Sequence, residues 1–333
     1  MKKVLTLLLC LTLVITMITG CSKAKEKAST GLSVISSIGK STSVGEKDGL
    51  GQIDSTVVAV LVSKDGKILD CKIDAAQTKI NFSAEGKLTT DLASVMKSKQ
   101  ELGTEYGLGA VSGVSKEWNQ QADAFAAYVV GKTIAEVKGI ALTEEGVPGD
   151  ADLASSVTIH VGDFIAGVEK AVANAQDLGA KKGDKLGLGV STDIAKSTDA
   201  TAEAEGLAQA YSFYSAVTTN ADGKITSSFI DASQGSVNFS LEGVVTSDIA
   251  VAPQTKQELK EGYGMKGSSA ISKEWYEQAN AFAKYATGKT LSEVKGIAVT
   301  EEGLAGDADL ISSVTVHVGP FIAITEKAVT NAK

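Results

Sequence analysis

The chain has 333 residues and only two histidines. Both histidines stand in one segment that is spelled twice, DADLASSVTIHVG over 150–162 and DADLISSVTVHVG over 307–319. The residues that can do chemistry there are the carboxylates Asp152 and Asp309 and the imidazoles His160 and His317. Hydroxyls come from Ser155, Ser156 and Thr158 and from their copies Ser312, Ser313 and Thr315. Hydroxyls at a helix entrance suit a phosphate, because the first backbone N–H groups lack partners and the dipole favours an anion. Thr158 and Thr315 could also be esterified. Plain capping competes with this reading: Asp152 or Ser155 caps a helix and Thr158 is a first-turn residue, since capping needs the same residue types. His160 could tune a redox group, bind a phosphate or ligate a metal, or be a half-buried histidine with a satisfied hydrogen bond. One histidine per module excludes a His-rich metal site unless the modules meet.

Other constellations are weaker. Glu144, Glu145, Asp150 and Asp152, repeated as Glu301, Glu302, Asp307 and Asp309, offer oxygens to a hard cation. Their spacing matches no cation loop and reads as a solvated acidic turn, so no metal is assigned. There is no Ser-His-Asp order, no Gly-rich phosphate loop and no paired-carboxylate pattern, so no catalytic residue is assigned either. Tyr106 and Trp118, with partners Tyr263 and Trp275, could stack on a planar ring, although Trp118 also fits a core stripe.

The elements that must position these residues come in duplicate. His160 and His317, Trp118 and Trp275, Asp152 and Asp309, and the two DGKI turns at Asp65 and Asp222 are all separated by 157 positions. The copies align without a gap from Gly49 to Ala175, and a further pairing upstream is one indel away. The modules therefore span 31–176 and 187–333, and the polar segment DLGAKKGDKL over 177–186 reads as a linker between two domains. Within one module, β-branched runs at 57–62 and 68–74 flank an Asp-Gly turn, a hairpin signal, and 78–83 predicts a third strand. A helix is expected after Ser115 as N-cap, with Trp118, Ala122, Phe125 and Val129 on one buried stripe. Thr133 and Glu136 form a capping box, repeated by Thr290 and Glu293. Val157, Val161, Phe164, Val168 and Val172 predict a last helix that begins within the repeated segment. Strands first and helices after give an α+β fold of two tandem modules, each an antiparallel or mixed sheet packed with helices.

The N-terminal stretch sets the compartment. Lys2 and Lys3 precede an apolar run over 4–17, which reads as a secretory signal of residues 1–20. That run is shorter than the roughly 20 residues of a spanning helix. Ile18-Thr19-Gly20-Cys21 resembles the lipobox of bacterial lipoproteins. The resemblance implies that Cys21 becomes the N-terminus, carries a diacylglyceryl group and anchors the protein to the outside of the cell membrane, with 21–30 as a tether. The alternative is an ordinary cleaved signal with an incidental cysteine. Of three cysteines only Cys71 remains in the modules, and Ser228 replaces it in the second copy, so no disulfide forms and no thiol is required. A net charge of −8 argues against nucleic acid as a partner.

The repeated segment also resembles the motif of the extracytoplasmic FMN-binding domain family. That family includes a subunit of sodium-pumping NADH:quinone oxidoreductase and flavinylated surface lipoproteins. Its motif runs Asp, two variable residues, Ser or Thr, Gly, Ala, Thr, and a flavin transferase joins FMN through its phosphate to the final Thr. Asp152, Ser155 and Thr158 match, as do Asp309, Ser312 and Thr315. Ser156 and Ser313 replace the Gly, and Val157 and Val314 replace the Ala. The resemblance implies FMN, covalent or noncovalent, with Thr158 and Thr315 as attachment points and Asp152 and Asp309 as helpers. It further implies a membrane electron donor and a flavin transferase as partners, and a redox carrier more than an enzyme. The altered Gly and Ala positions favour the alternative, a flavin-free envelope lipoprotein of the same fold that binds a ligand or partner.

Overall fold

A computed structural model describes residues 25–333, so the signal segment and the lipidation candidate Cys21 lie outside the described residues. The first module contains three antiparallel strands, β1 (Ala28–Ser37), β2 (Gly49–Ser63) and β3 (Ile68–Phe82), ordered β1-β2-β3. Then come α1 (Lys99–Leu102), a 3-10 turn (Gly103–Tyr106), α2 (Trp118–Val129), α3 (Ile134–Lys138), α4 (Ala151–Ala154) and α5 (Gly162–Ala173). The second module repeats this as β4 (Lys185–Asp193), β5 (Gly206–Thr219), β6 (Ile225–Phe239), α6 (Lys256–Leu259), a 3-10 turn (Lys260–Tyr263), α7 (Trp275–Ala286), α8 (Leu291–Lys295), α9 (Ala308–Ile311) and α10 (Gly319–Asn331). The fold is α+β with two similar modules, and both sheets are purely antiparallel.

The Asp-Gly hairpin forms as expected, with Gly66 at φ +78°. The separate strand expected at 78–83 does not exist: β3 runs unbroken through it. Alanines at 75 and 76 weaken the local strand signal, but both are buried, and burial overrides propensity. The third strand is instead β1, which begins inside the expected tether.

Alternation along β2 explains its continuous apolar run. Val58, Val60 and Val62 face α2 and α5 in one core with Ile73, Phe125 and Phe164. Val57, Ala59 and Leu61 face the other way, into a second core with Leu186, Leu188, Val190 and Tyr214 of the second module. A strand buried on both faces needs no polar alternation. The result is four layers, helices, sheet, sheet and helices, and the two modules share an interior. The expected linker is part of this body. Ala28 N–H donates to the Ala180 carbonyl (3.0 Å), Thr30 and Gln176 exchange backbone bonds, and Ala180 is fully buried.

A pseudo-twofold axis relates the modules. Lys170 pairs with Glu258 (2.5 Å) and Lys327 with Glu101 (2.7 Å), equivalent pairs that cross the interface in opposite directions. Val44 N–H to the Gly243 carbonyl and Ala200 N–H to the Gly86 carbonyl, both 2.8 Å, repeat the same exchange on the backbone. Among the described residues no helix is long and apolar enough to cross a membrane.

Candidate functional site

The stripe of Trp118, Ala122, Phe125 and Val129 is buried as expected. The cap of α2 is Glu117, not Ser115. Ser115 sits at φ +51°, where it closes a turn, while the Glu117 carboxylate accepts the Leu108 N–H (2.9 Å). The capping boxes of Thr133 and Thr290 are present.

The repeated segment does not stand at the entrance of the last helix. Asp150 caps α4, accepting the N–H groups of Asp152 (2.9 Å) and Leu153 (3.3 Å). Asp152 is an exposed first-turn residue whose carbonyl accepts the Ser155 hydroxyl (2.7 Å). Neither Asp152 nor Ser155 is therefore an N-cap. Helix α4 ends at Ala154, and the chain runs irregularly to α5, which starts only at Gly162. Val157 and Val161 are buried but precede that helix. Thr158 is therefore not a first-turn residue, and no helix N-terminus points an anion site at it. In the second module Asp309 and Ser312 are likewise exposed, and Asp307 accepts the Tyr285 hydroxyl (2.9 Å) in place of the first module's cap.

A residue absent from the sequence reading holds the segment in place. Gln121 on α2 is fully buried, and its Oε1 accepts both the Thr158 N–H (2.8 Å) and the Thr158 hydroxyl (3.3 Å). Its Nε2 donates to Ser112 Oγ and to the Lys116 carbonyl, both 2.9 Å. Gln278 does the same for Thr315 (2.8 and 3.3 Å) and also accepts from Val316 N–H (3.2 Å). The available signal was a glutamine three residues after the tryptophan of an apolar stripe, present in both copies.

The remaining candidates have ordinary partners. Ser156 accepts from Lys116 Nζ (3.0 Å), and Ser313 donates to the Leu310 carbonyl (3.2 Å). His160 and His317 are exposed and lie over the tight turns at Gly146 and Gly303, close enough that a Cβ there would stand 3.9 and 3.6 Å from the rings. Glu144 and Glu145 belong to the first of these turns, closed by Thr143 N–H on the Val147 carbonyl (2.9 Å). Among the described residues no cluster of three or more His, Cys, Asp or Glu could hold a metal. Cys71 is buried, and burial pushes its thiol above the ordinary range, which keeps it protonated.

The geometry with chemical potential is in the second module. A cavity of about 590 Å³ is lined by Tyr211 and Phe213 of β5, Lys256 of α6, Tyr263, Trp275, Phe321, Thr315 and His317. Tyr211 and Phe213 project from the same face of β5, two residues apart, with ring centroids 4.7 Å from each other. Phe321 continues the wall toward Trp275, at 5.5 Å.

Lys256 is pinned at the start of α6. Thr255 and Glu258 close a capping box around it, and the buried Asp231 accepts the Gln257 N–H (3.0 Å). Its ammonium lies 4.5, 4.3 and 5.0 Å from the ring centroids of Tyr211, Tyr263 and Trp275 and donates to the Tyr211 hydroxyl (2.7 Å). Burial lowers its pKa to about 7 against the pull of the Asp231 charge. Burial likewise raises Asp231 to about 7.

In the first module Asp54 and Thr56 stand where Tyr211 and Phe213 stand, and Asp54 pairs with Lys40 (3.1 Å). Tyr106 and Trp118 remain, packed around the half-buried Lys99 at 4.7 and 5.2 Å.

No family model matches the chain, and no solved structure matches it. A stretch of 42 residues is 48% identical to chlorophenol reductase of Desulfitobacterium hafniense, which covers 13% of this chain and 13% of that protein. The chain thus spans about an eighth of the length of that relative, and a match of this extent assigns no family.

Proposed function

We propose that the chain is an extracytoplasmic lipoprotein, held to the membrane through Cys21, that carries electrons on FMN between a membrane donor and an outside acceptor. The observation that carries this reading is the placement of Thr315 on the wall of an aromatic cavity. The cavity has the size of a small-molecule site. Its aromatic lining, with Tyr211 and Phe213 tilted by 33° and Phe321 edge-on behind them, offers ring faces and edges to an isoalloxazine ring, and Lys256 puts a cation beside it.

The departures from the family motif do not obstruct this fit. Val157 and Val314 are both 1% exposed and serve as core anchors, and Ser156 and Ser313 are engaged in hydrogen bonds. Esterification of Thr315 would remove one hydrogen bond to Gln278, but the Gln278 oxygen keeps the N–H groups of Thr315 and Val316. Bound flavin would supply the redox chemistry, while the chain supplies position, an aromatic wall and a positive charge. Asp309 is exposed and free to meet a flavin transferase. The similarity to a protein named chlorophenol reductase is too short to speak to flavin.

A flavin-free binding lipoprotein is the second reading. It is favoured by the first module, where polar Asp54 and Thr56 replace the aromatic wall although Thr158 is retained.

The test is the intact mass of residues 22–333 co-expressed with a flavin transferase. At least one FMN increment is expected, lost when Thr315→Ala is combined with Thr158→Ala. An unmodified mass, with no yellow protein after FMN is added, leaves the second reading.

A further inference from the structure

We propose that the cavity of the second module, and not its counterpart in the first, binds a planar aromatic molecule with an anionic or carbonyl edge, and that Lys256 holds that edge. This shares its cavity with the flavin reading but does not depend on attachment at Thr315.

The first ground is an incomplete hydrogen-bond inventory. An ammonium has three donors. Lys256 is 2% exposed, yet its one hydrogen bond goes to the Tyr211 hydroxyl. A buried polar group with unmet donors is costly. The surrounding π faces offset part of that cost through cation–π attraction, but ring faces supply no lone pair. The cavity that Lys256 lines is where an acceptor can reach it. The second ground is shape. Tyr211, Phe213, Phe321 and Trp275 form a continuous aromatic wall, with successive centroids 4.7, 6.3 and 5.5 Å apart. A flat ring gains most against such a wall, in offset or edge contacts.

The third ground is the internal control provided by the duplication. The first module keeps Lys99, Tyr106 and Trp118 but has Asp54 and Thr56 for the two β5 aromatics. Thr56 shortens the wall, and Asp54, paired with Lys40, puts a polar ion pair where Tyr211 puts a ring, whereas the second cavity keeps its acidic Asp193 beside Lys196 and Lys256 and so stays net positive. Lys99 is half-buried and open to water, so it has no unmet demand for a ligand acceptor. The two copies thus present the same segment beside unlike surfaces.

The experiment uses the full chain, purified in detergent from a host without flavin transferase. Two probes are titrated by equilibrium dialysis: riboflavin, which has a carbonyl edge and no phosphate, and anthraquinone-2,6-disulfonate, a planar dianion. One molecule of probe per chain is expected. Lys256→Met should weaken binding at least about tenfold, Lys256→Arg should restore part of it, and Lys99→Met should leave it unchanged. Two molecules per chain, equal losses from Lys99→Met and Lys256→Met, or no binding of either probe at millimolar concentration would overturn the proposal. The stoichiometry decides even where a variant fails to fold. Binding of the quinone with no flavin attachment or affinity would sink the flavin reading and leave this one standing. FMN attached equally at Thr158 and Thr315, with ring contacts in both modules, would do the reverse.

Discussion

Phe82 and Phe239 stack face to face across the two modules, with ring centroids 4.0 Å apart and planes 3° from parallel. They are equivalent positions of the repeat, so the stack marks the pseudo-twofold axis. Each ring also lies flat on a glycine of the neighbouring strand: a Cβ on Gly49 would stand 2.1 Å from Phe82, and one on Gly206 2.3 Å from Phe239. Phe239→Ala should cost about 3–5 kcal/mol. The double variant with Phe82→Ala should cost less than the sum of the singles, because one stack is lost once. Urea denaturation of the four proteins measures this, and strict additivity would show that the modules do not meet through these rings.

Gln278→Leu should free the segment around Thr315. It strips acceptors from Thr315 and Val316 N–H and a donor from Ser269. A loss of about 1–3 kcal/mol is expected, with faster amide exchange at Thr315 and Val316 than at Thr158. Unchanged exchange would mean that α7 does not hold the segment.

Lys260 occupies φ +48° and ψ −117°, a conformation that disfavours a side chain. The first module places Gly103 at the same point, with φ +50°. Lys260→Gly should therefore stabilise the protein by about 1 kcal/mol, read as a raised thermal midpoint. A lowered midpoint would indicate that the Lys260 side chain makes compensating contacts.

Ser215 and Thr325 are fully buried, and their hydroxyls have no partner. The first module has Val58 and Val168 at these positions, both in its core. Thr325→Val preserves shape and removes an unsatisfied hydroxyl, so a gain of about 1 kcal/mol is expected. Loss of stability would point to a water bridging the two hydroxyls.

Stability should pass through a shallow minimum near neutrality. Asp231 is raised to about 7 and Asp74 to about 6, both by burial. Between their ordinary value and these pKa values the folded state binds protons that the unfolded state has released, so stability falls as pH rises. Lys256 is lowered to about 7, so from there to its ordinary value near 10.5 the unfolded state binds the extra proton and stability rises with pH. Thermal midpoints of Lys256→Met should lack the alkaline rise, and those of Asp231→Asn should lose part of the fall below neutrality. An alkaline rise that survives Lys256→Met would assign it to another group.

Much of the architecture is legible in one dimension. The exact register of the duplication, the Asp-Gly hairpin, the stripe from Trp118 to Val129 and the boxes at Thr133 and Thr290 depend on neighbours a few residues apart, where backbone geometry couples pattern to shape. The α+β class follows from the order of those patterns. The start of α5 is not legible, because Val157 and Val161 keep helical spacing while the Thr158 N–H is claimed by Gln121, 37 residues away. Nor does any local pattern reveal that Val57 and Leu61 face another sheet. A run buried on two faces looks the same whether its second cover comes from its own module or from a copy. The difference between Tyr211 and Asp54 is plain in the sequence, yet it reads as drift. Only the packing of α10 on β5, with α6 and α7 on the adjoining β6, turns it into an aromatic wall in one module and a paired carboxylate in the other, since a cavity is made by residues that are distant in the chain and adjacent in space.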